Sequence, residues 1–262
     1  MEILQRIFLC MLIITLITVV CTRVENNVDY FSHIQKFDQI YKVSSDTPYP
    51  LQNFLYVDTV LIGENEEGEE ASQTMSSASG IAVYNDKDKI SAFTAGHWCD
   101  SDGSAEQNLA LVRMLNPGTE FRIENRVAFY GNFYPIEEMF IDIESDLCVI
   151  TFKSPYAHKI KKIKPAKKYP EIGEKLYTAS SPLGLYQHEM RLLFEGFFAG
   201  CYAGQPYCFY TIPGIQGSSG SGVLNSKGQL VSILDVSVID FYQVTGGARL
   251  ENIIEMYRKH IK

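Results

Sequence analysis

Short apolar stretches bounded by turn residues recur along most of the chain, and they predict β-strands. The first series includes "YVDTVLI" (56–62) and "SGIAVYNDKDKISAFTAGH" (79–97), in which the polar "NDKDK" joins two apolar arms as a hairpin. A second series runs from "KLYTAS" to "YQVTGGARL". Strands at this spacing are typical of β-sandwiches and β-barrels. Because the lysine-rich "HKIKKIKPAKK" (158–168) separates the two series, we predict two β-barrels joined by a basic connector.

Only the tail of the chain, "LENIIEMYRKHI", has the apolar periodicity of a helix, with basic residues near its end. We expect this helix to pack against the last barrel, and a partner-binding helix is the alternative. The predicted organisation is a targeting segment, a lead-in segment, the first barrel, the connector, the second barrel and the helix, at residues 1–22, 23–55, 56–157, 158–170, 171–249 and 250–262.

The N-terminal segment is an apolar run of 15 residues, 7–21, that follows a single arginine, Arg6. It is shorter than the roughly 20 residues that span a bilayer as a helix, and it resembles the core of a secretory signal peptide. An uncleaved anchor is the alternative, because Val19 and Cys21 do not form the usual small-residue cleavage site. We therefore predict a secreted or extracytoplasmic protein, with membrane attachment through this segment as the alternative.

The formal net charge of −8 argues against nucleic acid as a partner, since phosphate binding needs a basic surface. No C-x-x-C or H-x-x-x-H spacing occurs, so a zinc site is not expected. Outside the N-terminal segment lie four cysteines, which in an oxidising compartment allow three pairings. A bridge from Cys201 to Cys208 across the turn-rich "YAGQPY" is favoured, and a bridge from Cys99 to Cys148 is compatible with it.

The stretch "GSSGSG" (217–222) stands directly before an apolar run that reads as a hairpin. Six small residues cannot fill a core, so they serve backbone shape or a hydroxyl held at a surface. A serine hydroxyl becomes a nucleophile when a base takes its proton, and the resulting oxyanion needs backbone N–H donors, which a glycine turn supplies. A catalytic role for this turn therefore requires a histidine and an acid elsewhere.

Of the five histidines, only His97 ends a β arm within a small-residue turn, "FTAGHWC". The acid to orient it is offered by Asp146 in "ESDLCVI", where a carboxylate opens an apolar strand. Asp142 and Glu144 lie close by in sequence and are the rival acids. We favour Asp146 because the strand that follows it directly would place it at the edge of a barrel core.

"TAGH", "SDLCVI" and "GSSGSG" follow one another in the order His, Asp, Ser, and in this they resemble the trypsin-like (chymotrypsin-fold) serine proteases. The likeness covers roughly residues 56–262. It is nearer to bacterial glutamyl endopeptidases and periplasmic proteases than to animal trypsins, because "EIGEKLYTASSPLGL" followed by "EGFFAG", and "GSSGSGVLNSKGQLVSI", resemble segments of those bacterial proteins. Trp98 follows the histidine, so Cys99 is displaced by one position from the cysteine of animal trypsins. The resemblance implies an all-β fold of two six-stranded antiparallel barrels with a C-terminal helix.

The resemblance also implies the role of each site residue. Ser219 corresponds to the nucleophile, and the N–H groups of Gly217 and Ser219 correspond to the oxyanion hole. His97 would be the general base and Asp146 would hold its tautomer and orientation. The expected substrate is a protein or peptide, and no cofactor is implied.

The pocket for the side chain before the scissile bond is expected to include Pro213, Asp235 and Ser237. Pro213 stands where trypsins that cut after Lys or Arg carry an acid, which argues against that specificity, whereas Asp235 would restore it if it faces the pocket. "SILDVSV" holds no histidine, so a preference for Glu is not supported. A peptide would add its backbone beside the strand at "DVSV".

Two further functions compete with a serine endopeptidase. A catalytically inactive protease-fold protein that binds peptides or partners is the main alternative. An esterase of the α/β-hydrolase fold is disfavoured because that fold places its histidine last in the chain.

Overall fold

The computed structural model describes residues 47–65, 67–68, 70–100, 109, 112–114, 119–237 and 243–261. The predicted targeting segment and most of the lead-in segment fall within residues 1–46, outside the described part. Within the described ranges, no helix has the length and apolar content that crossing a bilayer requires.

The first half of the described chain is a seven-stranded antiparallel sheet in the order β5-β4-β1-β2-β3-β7-β6. Its strands are β1 (Phe54–Glu64), β2 (Glu70–Asp86), β3 (Lys89–Ala95), β4 (Glu120–Phe129), β5 (Asn132–Pro135), β6 (Glu138–Asp142) and β7 (Leu147–Lys153). The inner strands β1, β3 and β7 are mostly buried, and in β7 every residue before Lys153 is buried. A short helix, α1 (Gly96–Cys99), directly follows β3.

The strand count of this half differs from the expected six because the segment after β4 folds back on itself. Tyr130 and Gly131 both have positive φ, 49° and 78°, and they turn β4 into β5. Two successive residues of this kind form the tight turn whose twist suits a β-hairpin. β4 then pairs with β5 from Phe129 opposite Asn132 outward, and β6 pairs with β7 at the other edge of the sheet.

The second half is a closed six-stranded antiparallel barrel in the order β10-β13-β12-β11-β8-β9, which confirms the barrel expected there. Its strands are β8 (Lys175–Ser180), β9 (Leu192–Cys201), β10 (Tyr207–Tyr210), β11 (Gly222–Asn225), β12 (Leu230–Ser237) and β13 (Thr245–Ala248). The nucleophile candidate therefore stands in the turn that enters β11. The predominance of strands confirms the all-β class.

Helix α2 (Leu250–His260) confirms the predicted C-terminal helix. Glu251 lies in its first turn and Arg258, Lys259 and His260 in its last, which suits the helix dipole. Its apolar face is buried in a cluster that includes Ile81 and Ile233, so it packs against both halves of the fold rather than the last barrel alone.

The basic connector contacts both halves through its backbone. The N–H of Ile163 donates to the Val83 carbonyl at 2.9 Å, and the N–H of Ala166 donates to the Leu230 carbonyl at 2.8 Å. The isoleucines of "HKIKKIKPAKK" supply buried side chains, since Ile160 and Ile163 are both buried. The connector therefore packs against both halves of the fold, and its lysines are interspersed in sequence with buried residues.

Both cysteine pairs that the sequence allowed lie at disulfide distance. Cys201 and Cys208 are directly opposite each other in β9 and β10. Cys99 at the end of α1 is joined to Cys148 in β7.

Candidate active site

His97 and Asp146 are brought together by the register of two strands. In the β3–β7 pair, Ala95 lies opposite Leu147, so the residues after Ala95 and before Leu147 must meet at one end of the sheet. There the His97 ring nitrogen Nδ1 lies 2.6 Å from Asp146 Oδ2, and the His97 backbone N–H donates to Asp146 Oδ1 at 2.5 Å. Both carboxylate oxygens of Asp146 therefore bind the same residue.

The glycine before the histidine is required by this close approach. The N–H of Gly96 donates to the Asp146 carbonyl at 2.9 Å. A Cβ at position 96 would lie 2.8 Å from both the carbonyl carbon and Oδ1 of Asp146. Asp146 itself has a φ of 49°, a conformation that costs a non-glycine residue about 1–2 kcal/mol. The segment "TAGH" is thus shaped to receive the carboxylate.

Neither rival acid is the partner of His97 in the described ranges. Asp142 accepts hydrogen bonds from the Glu144 backbone N–H at 3.2 Å and from the Ser145 hydroxyl at 2.6 Å, so it shapes the turn before β7. Glu144 is exposed. Of the three carboxylates, Asp146 is the one that binds His97.

The electrostatics of this pair suit a general base. The hydrogen bond that His97 donates to Asp146 raises the pKa of His97 above its ordinary value, partial burial opposes the rise, and the charges of Asp146 and Asp235 add to it. With the proton on Nδ1 donated to Asp146, the other ring nitrogen, Nε2, carries the lone pair that can accept a proton. The ring is half exposed, so a substrate can reach it.

The turn that carries Ser219 is bent by two glycines with positive φ, Gly217 at 89° and Gly220 at 86°. The Ser219 carbonyl accepts the Ser79 N–H at 2.8 Å, and the Gly220 N–H donates to the Leu234 carbonyl at 2.6 Å. A Cβ on Gly220 would lie 2.9 Å from the Ala95 nitrogen. The turn therefore lies against the end of β3, two residues before His97.

Two backbone N–H groups of this turn are available. Those of Ser218, Gly220 and Ser221 donate to the carbonyls of Ile215, Leu234 and Ser218. Those of Gly217 and Ser219 donate no hydrogen bond to any residue in the described ranges. Two free N–H groups that flank a serine hydroxyl are the donor set that an oxyanion hole requires.

The serine hydroxyl itself is not yet joined to the histidine. Within the part of the chain that the structure describes, no hydrogen bond links the Ser219 hydroxyl to His97. Such contacts are often long in a substrate-free protease and tighten when substrate binds.

Sequence reasoning did not find a pair of buried serines that support the turn that carries Ser219. The Ser79 hydroxyl donates to the Gly217 carbonyl at 2.8 Å and accepts the Ser181 N–H at 2.9 Å. The two hydroxyls lie 3.0 Å apart. The partners are more than 100 residues apart in sequence, so no local pattern marks them.

Beside Ser219 lies a shallow, solvent-open cleft, lined by Gly214, Ile215, Ser218, Ser219, Leu234, Asp235 and Thr245. Of the residues expected in the substrate pocket, Asp235 lies in this lining. Pro213 is exposed and is not among the lining residues. The side chain of Ser237 lies outside the described part of the structure.

The described ranges contain no group of three or more His, Cys, Asp or Glu side chains arranged to hold a metal ion. The polar groups at this site are instead an imidazole, a carboxylate, a hydroxyl and backbone N–H donors. Together with the two β units, they define the class of serine peptidases with the chymotrypsin fold.

Comparisons with known proteins agree with this class. The sequence matches the trypsin-like peptidase domain family over residues 78–233, which is more than half of the chain. The chain therefore belongs to the trypsin-like peptidase family. No curated protein sequence matches it.

Two solved structures show the same fold. The Rv3671c protease from M. tuberculosis, in its active form, is 11% identical with a TM-score of 0.51, over 80% of this chain and 81% of that one. The serine endoprotease from Yersinia pestis is 18% identical with a TM-score of 0.52, over 80% of this chain and 62% of that one. At these identities the likeness concerns the fold alone, and it confirms the expected trypsin-like fold.

Proposed function

We propose that this protein is a serine endopeptidase that hydrolyses peptide bonds through Ser219, His97 and Asp146. The observation that carries the proposal is the pair of hydrogen bonds from His97 to Asp146, at the strand end against which the Ser219 turn lies. The two free N–H groups beside the Ser219 hydroxyl support it further.

In the proposed reaction, Ser219 Oγ attacks the substrate carbonyl carbon while its proton passes to His97 Nε2. The N–H groups of Gly217 and Ser219 bind the oxyanion that forms. Collapse of this intermediate expels the amine, which takes the proton from His97, and leaves an acyl group on Ser219. Water then attacks the acyl-enzyme with His97 again as base and releases the acid. Asp146 stays ionised and holds the ring.

We place the substrate side chain in the cleft beside Ser219, with the peptide backbone beside the end of β12 at residues 235–237, beyond the residues of β12 that pair with β11. Asp235 lines this cleft, and its carboxylate favours a Lys or Arg side chain over an acidic one there. Cleavage of a peptide library tests this preference, with Asp235→Asn as the comparison. Enrichment of Glu or Asp before the cut would contradict it.

The activity is tested with a fluorophosphonate probe, which labels an activated serine hydroxyl. We expect the wild type and Ser221→Ala to be labelled and Ser219→Ala to be unlabelled. Ser221 is a matched control because its hydroxyl lies in the same turn and is buried. Turnover of a peptide should fall by about 10⁶ in Ser219→Ala. Labelling that survives in Ser219→Ala would refute the assignment.

The alternative is a catalytically inactive protein that binds peptides with the same fold. The missing hydrogen bond between the Ser219 hydroxyl and His97 among the described residues is the observation that favours it. In that case wild type and Ser219→Ala would both stay unlabelled, while calorimetry would still detect peptide binding.

We further propose an extracytoplasmic location, with the protein either secreted or anchored by its N-terminal segment. The two cysteine pairs at disulfide distance support it, since such bridges persist in oxidising compartments. Fractionation of cells into soluble, membrane and exported material tests this location.

A further inference from the structure

The Cys99–Cys148 bridge runs beside the contact between His97 and Asp146. Cys99 lies two residues after His97, and Cys148 lies two residues after Asp146. Both pairs therefore span the same sequence separation, 49 residues. One pair is joined by a covalent bond and the other by a hydrogen bond, and both link α1 to the start of β7.

Neither of these segments holds its conformation by itself. Helix α1 has only four residues, a single turn, and isolated helices of that length are not stable in water. Asp146 stands in a turn with a φ of 49°, a conformation that persists only when its surroundings impose it. The geometry of the His97–Asp146 contact therefore depends on what fixes α1 against β7.

The bridge is well placed to do this. Cys99 is 1% exposed and Cys148 is 0% exposed, and both belong to a core cluster that also contains Trp98 and Ile150. The bridge thus ties the end of α1 to a strand that is buried along almost its whole length.

The second bridge in the chain provides a natural contrast. Cys201 and Cys208 join β9 and β10, which carry none of the three proposed triad residues. It closes a separation of only 7 residues across one hairpin. A comparison of the two bridges therefore separates an effect on the site from a general effect of losing a disulfide.

We propose that the Cys99–Cys148 disulfide is a positioning element of the active site, which holds His97 in hydrogen-bonding contact with Asp146. The proposal rests on the proposed function, since it concerns the same histidine and acid. Without the bridge, α1 can shift against β7, so the hydrogen bond to Asp146 lengthens. The base then loses its orientation while the substrate cleft, built from β12, β13 and the Ser219 turn, stays in place.

The test compares Cys99→Ala/Cys148→Ala with the matched control Cys201→Ala/Cys208→Ala. A third protein, Cys99→Ala/Cys148→Val, refills part of the buried space in case the first fails to fold. A misplacement of about 1 Å in an active site can cost about 10²-fold in rate. We therefore expect kcat for a peptide to fall about 10- to 100-fold in the folded Cys99/Cys148 variants, with KM within about twofold of wild type. The control should keep the wild-type kcat.

A second readout does not need catalysis. In the Ser219→Ala background, NMR titration of labelled histidine reports the pKa of His97, on which the carboxylates of Asp146 and Asp235 act. Loss of the bridge should lower this pKa toward the ordinary value, and loss of the Cys201–Cys208 bridge should leave it unchanged. The NMR titration can be read even if the wild type is inactive. Failure of the disulfide proposal can therefore be told apart from failure of the serine endopeptidase proposal.

Three results would overturn the inference. The first is a folded Cys99/Cys148 variant with wild-type kcat and wild-type His97 pKa. The second is an equal loss in the Cys201/Cys208 control. The third is the failure of both Cys99/Cys148 variants to fold while the control folds, because the bridge would then support the fold rather than the site.

Discussion

Replacement of Ser79 by alanine is expected to lower the stability of the fold and to loosen the turn at Gly217, whose N–H group is a proposed oxyanion donor. The single hydroxyl proton of Ser79 is donated to the Gly217 carbonyl, so the Ser181 hydroxyl must be the donor in the 3.0 Å contact between the two serines. The Ser79 oxygen also accepts the Ser181 N–H. Ser79→Ala thus removes one hydrogen-bond partner from each of three groups, the Gly217 carbonyl, the Ser181 N–H and the Ser181 hydroxyl. The site is buried, since Ser79 and Ser181 are both 0% exposed.

The magnitude follows from which of these groups can find another partner. The Ser181 hydroxyl can turn toward the Ala78 carbonyl, 3.5 Å away. The Ser181 N–H and the Gly217 carbonyl have no such substitute among the described residues. Each buried polar group left without a partner costs about 1–3 kcal/mol, so for these two groups together we expect the free energy of unfolding to fall by about 2–6 kcal/mol. A loosened Gly217 should also lower kcat, by up to about 10²-fold.

The assay is urea unfolding followed by tryptophan fluorescence, in the Ser219→Ala background so that self-cleavage cannot contribute. Ser181→Ala is the matched control, because it removes one hydroxyl and leaves Ser79 bonded to Gly217 and to the backbone N–H at position 181. We expect it to cost about 1 kcal/mol or less. If Ser79→Ala were no less stable than Ser181→Ala, and kcat were unchanged, the reasoning would be wrong.

Four other predictions have defined outcomes. Asp146→Asn should lower kcat by about 10⁴-fold, because an amide stabilises the wrong tautomer of His97; steady-state hydrolysis measures it. Only the neutral imidazole of His97 accepts a proton, and Asp146 raises the pKa of that imidazole. The kcat/KM of the wild type should therefore decline with falling pH, with a midpoint above the ordinary histidine pKa of about 6.5. Asp146→Asn should move this midpoint to lower pH. Gly217→Ala should fold less stably by about 1–3 kcal/mol in urea titrations, because its φ of 89° disfavours a side chain and a Cβ would lie 2.5 Å from the Ser181 carbonyl oxygen. Under mild reductant, the Cys201–Cys208 bridge should open before the buried bridge, since Cys201 is exposed; thiol alkylation followed by mass spectrometry reports the order.

The contact between His97 and Asp146 could be predicted from the sequence because local sequence patterns mark the strand next to each of the two residues. Each residue stands next to an apolar stretch that reads as a strand, and two antiparallel neighbours bring one strand's end to the other's beginning. In the structure Asp146, and not Asp142, is the carboxylate that binds His97. The deciding geometry is the left-handed backbone at Asp146, which the sequence does not display.

The first sheet shows the opposite case. Its hairpin at Tyr130 and Gly131 has a non-glycine residue with positive φ at the first position of the turn. A tyrosine gives no such signal, so the apolar pattern predicts a strand in "EFRIENRVAFY" and does not mark the next one, although "EFRIENRVAFYGNFYP" forms both β4 and β5. Pattern reasoning finds strands by their apolar alternation, and it undercounts them where the turn lacks its usual residues.

The glycines of "GSSGSG" show how far a local signal can reach. Several glycines so close together indicate a backbone that side chains would obstruct, and in the structure each glycine has a different neighbour. A Cβ added at Gly217 would lie 2.5 Å from the Ser181 carbonyl oxygen. One added at Gly220 would lie 2.0 Å from the Ser79 carbonyl oxygen, and one added at Gly222 would lie 2.5 Å from the Ile81 side chain. All three neighbours lie 36 or more residues away, in β2 or just after β8. The sequence thus reveals that space is needed at this turn, whereas the identity of the segments that fill it is a property of the assembled fold.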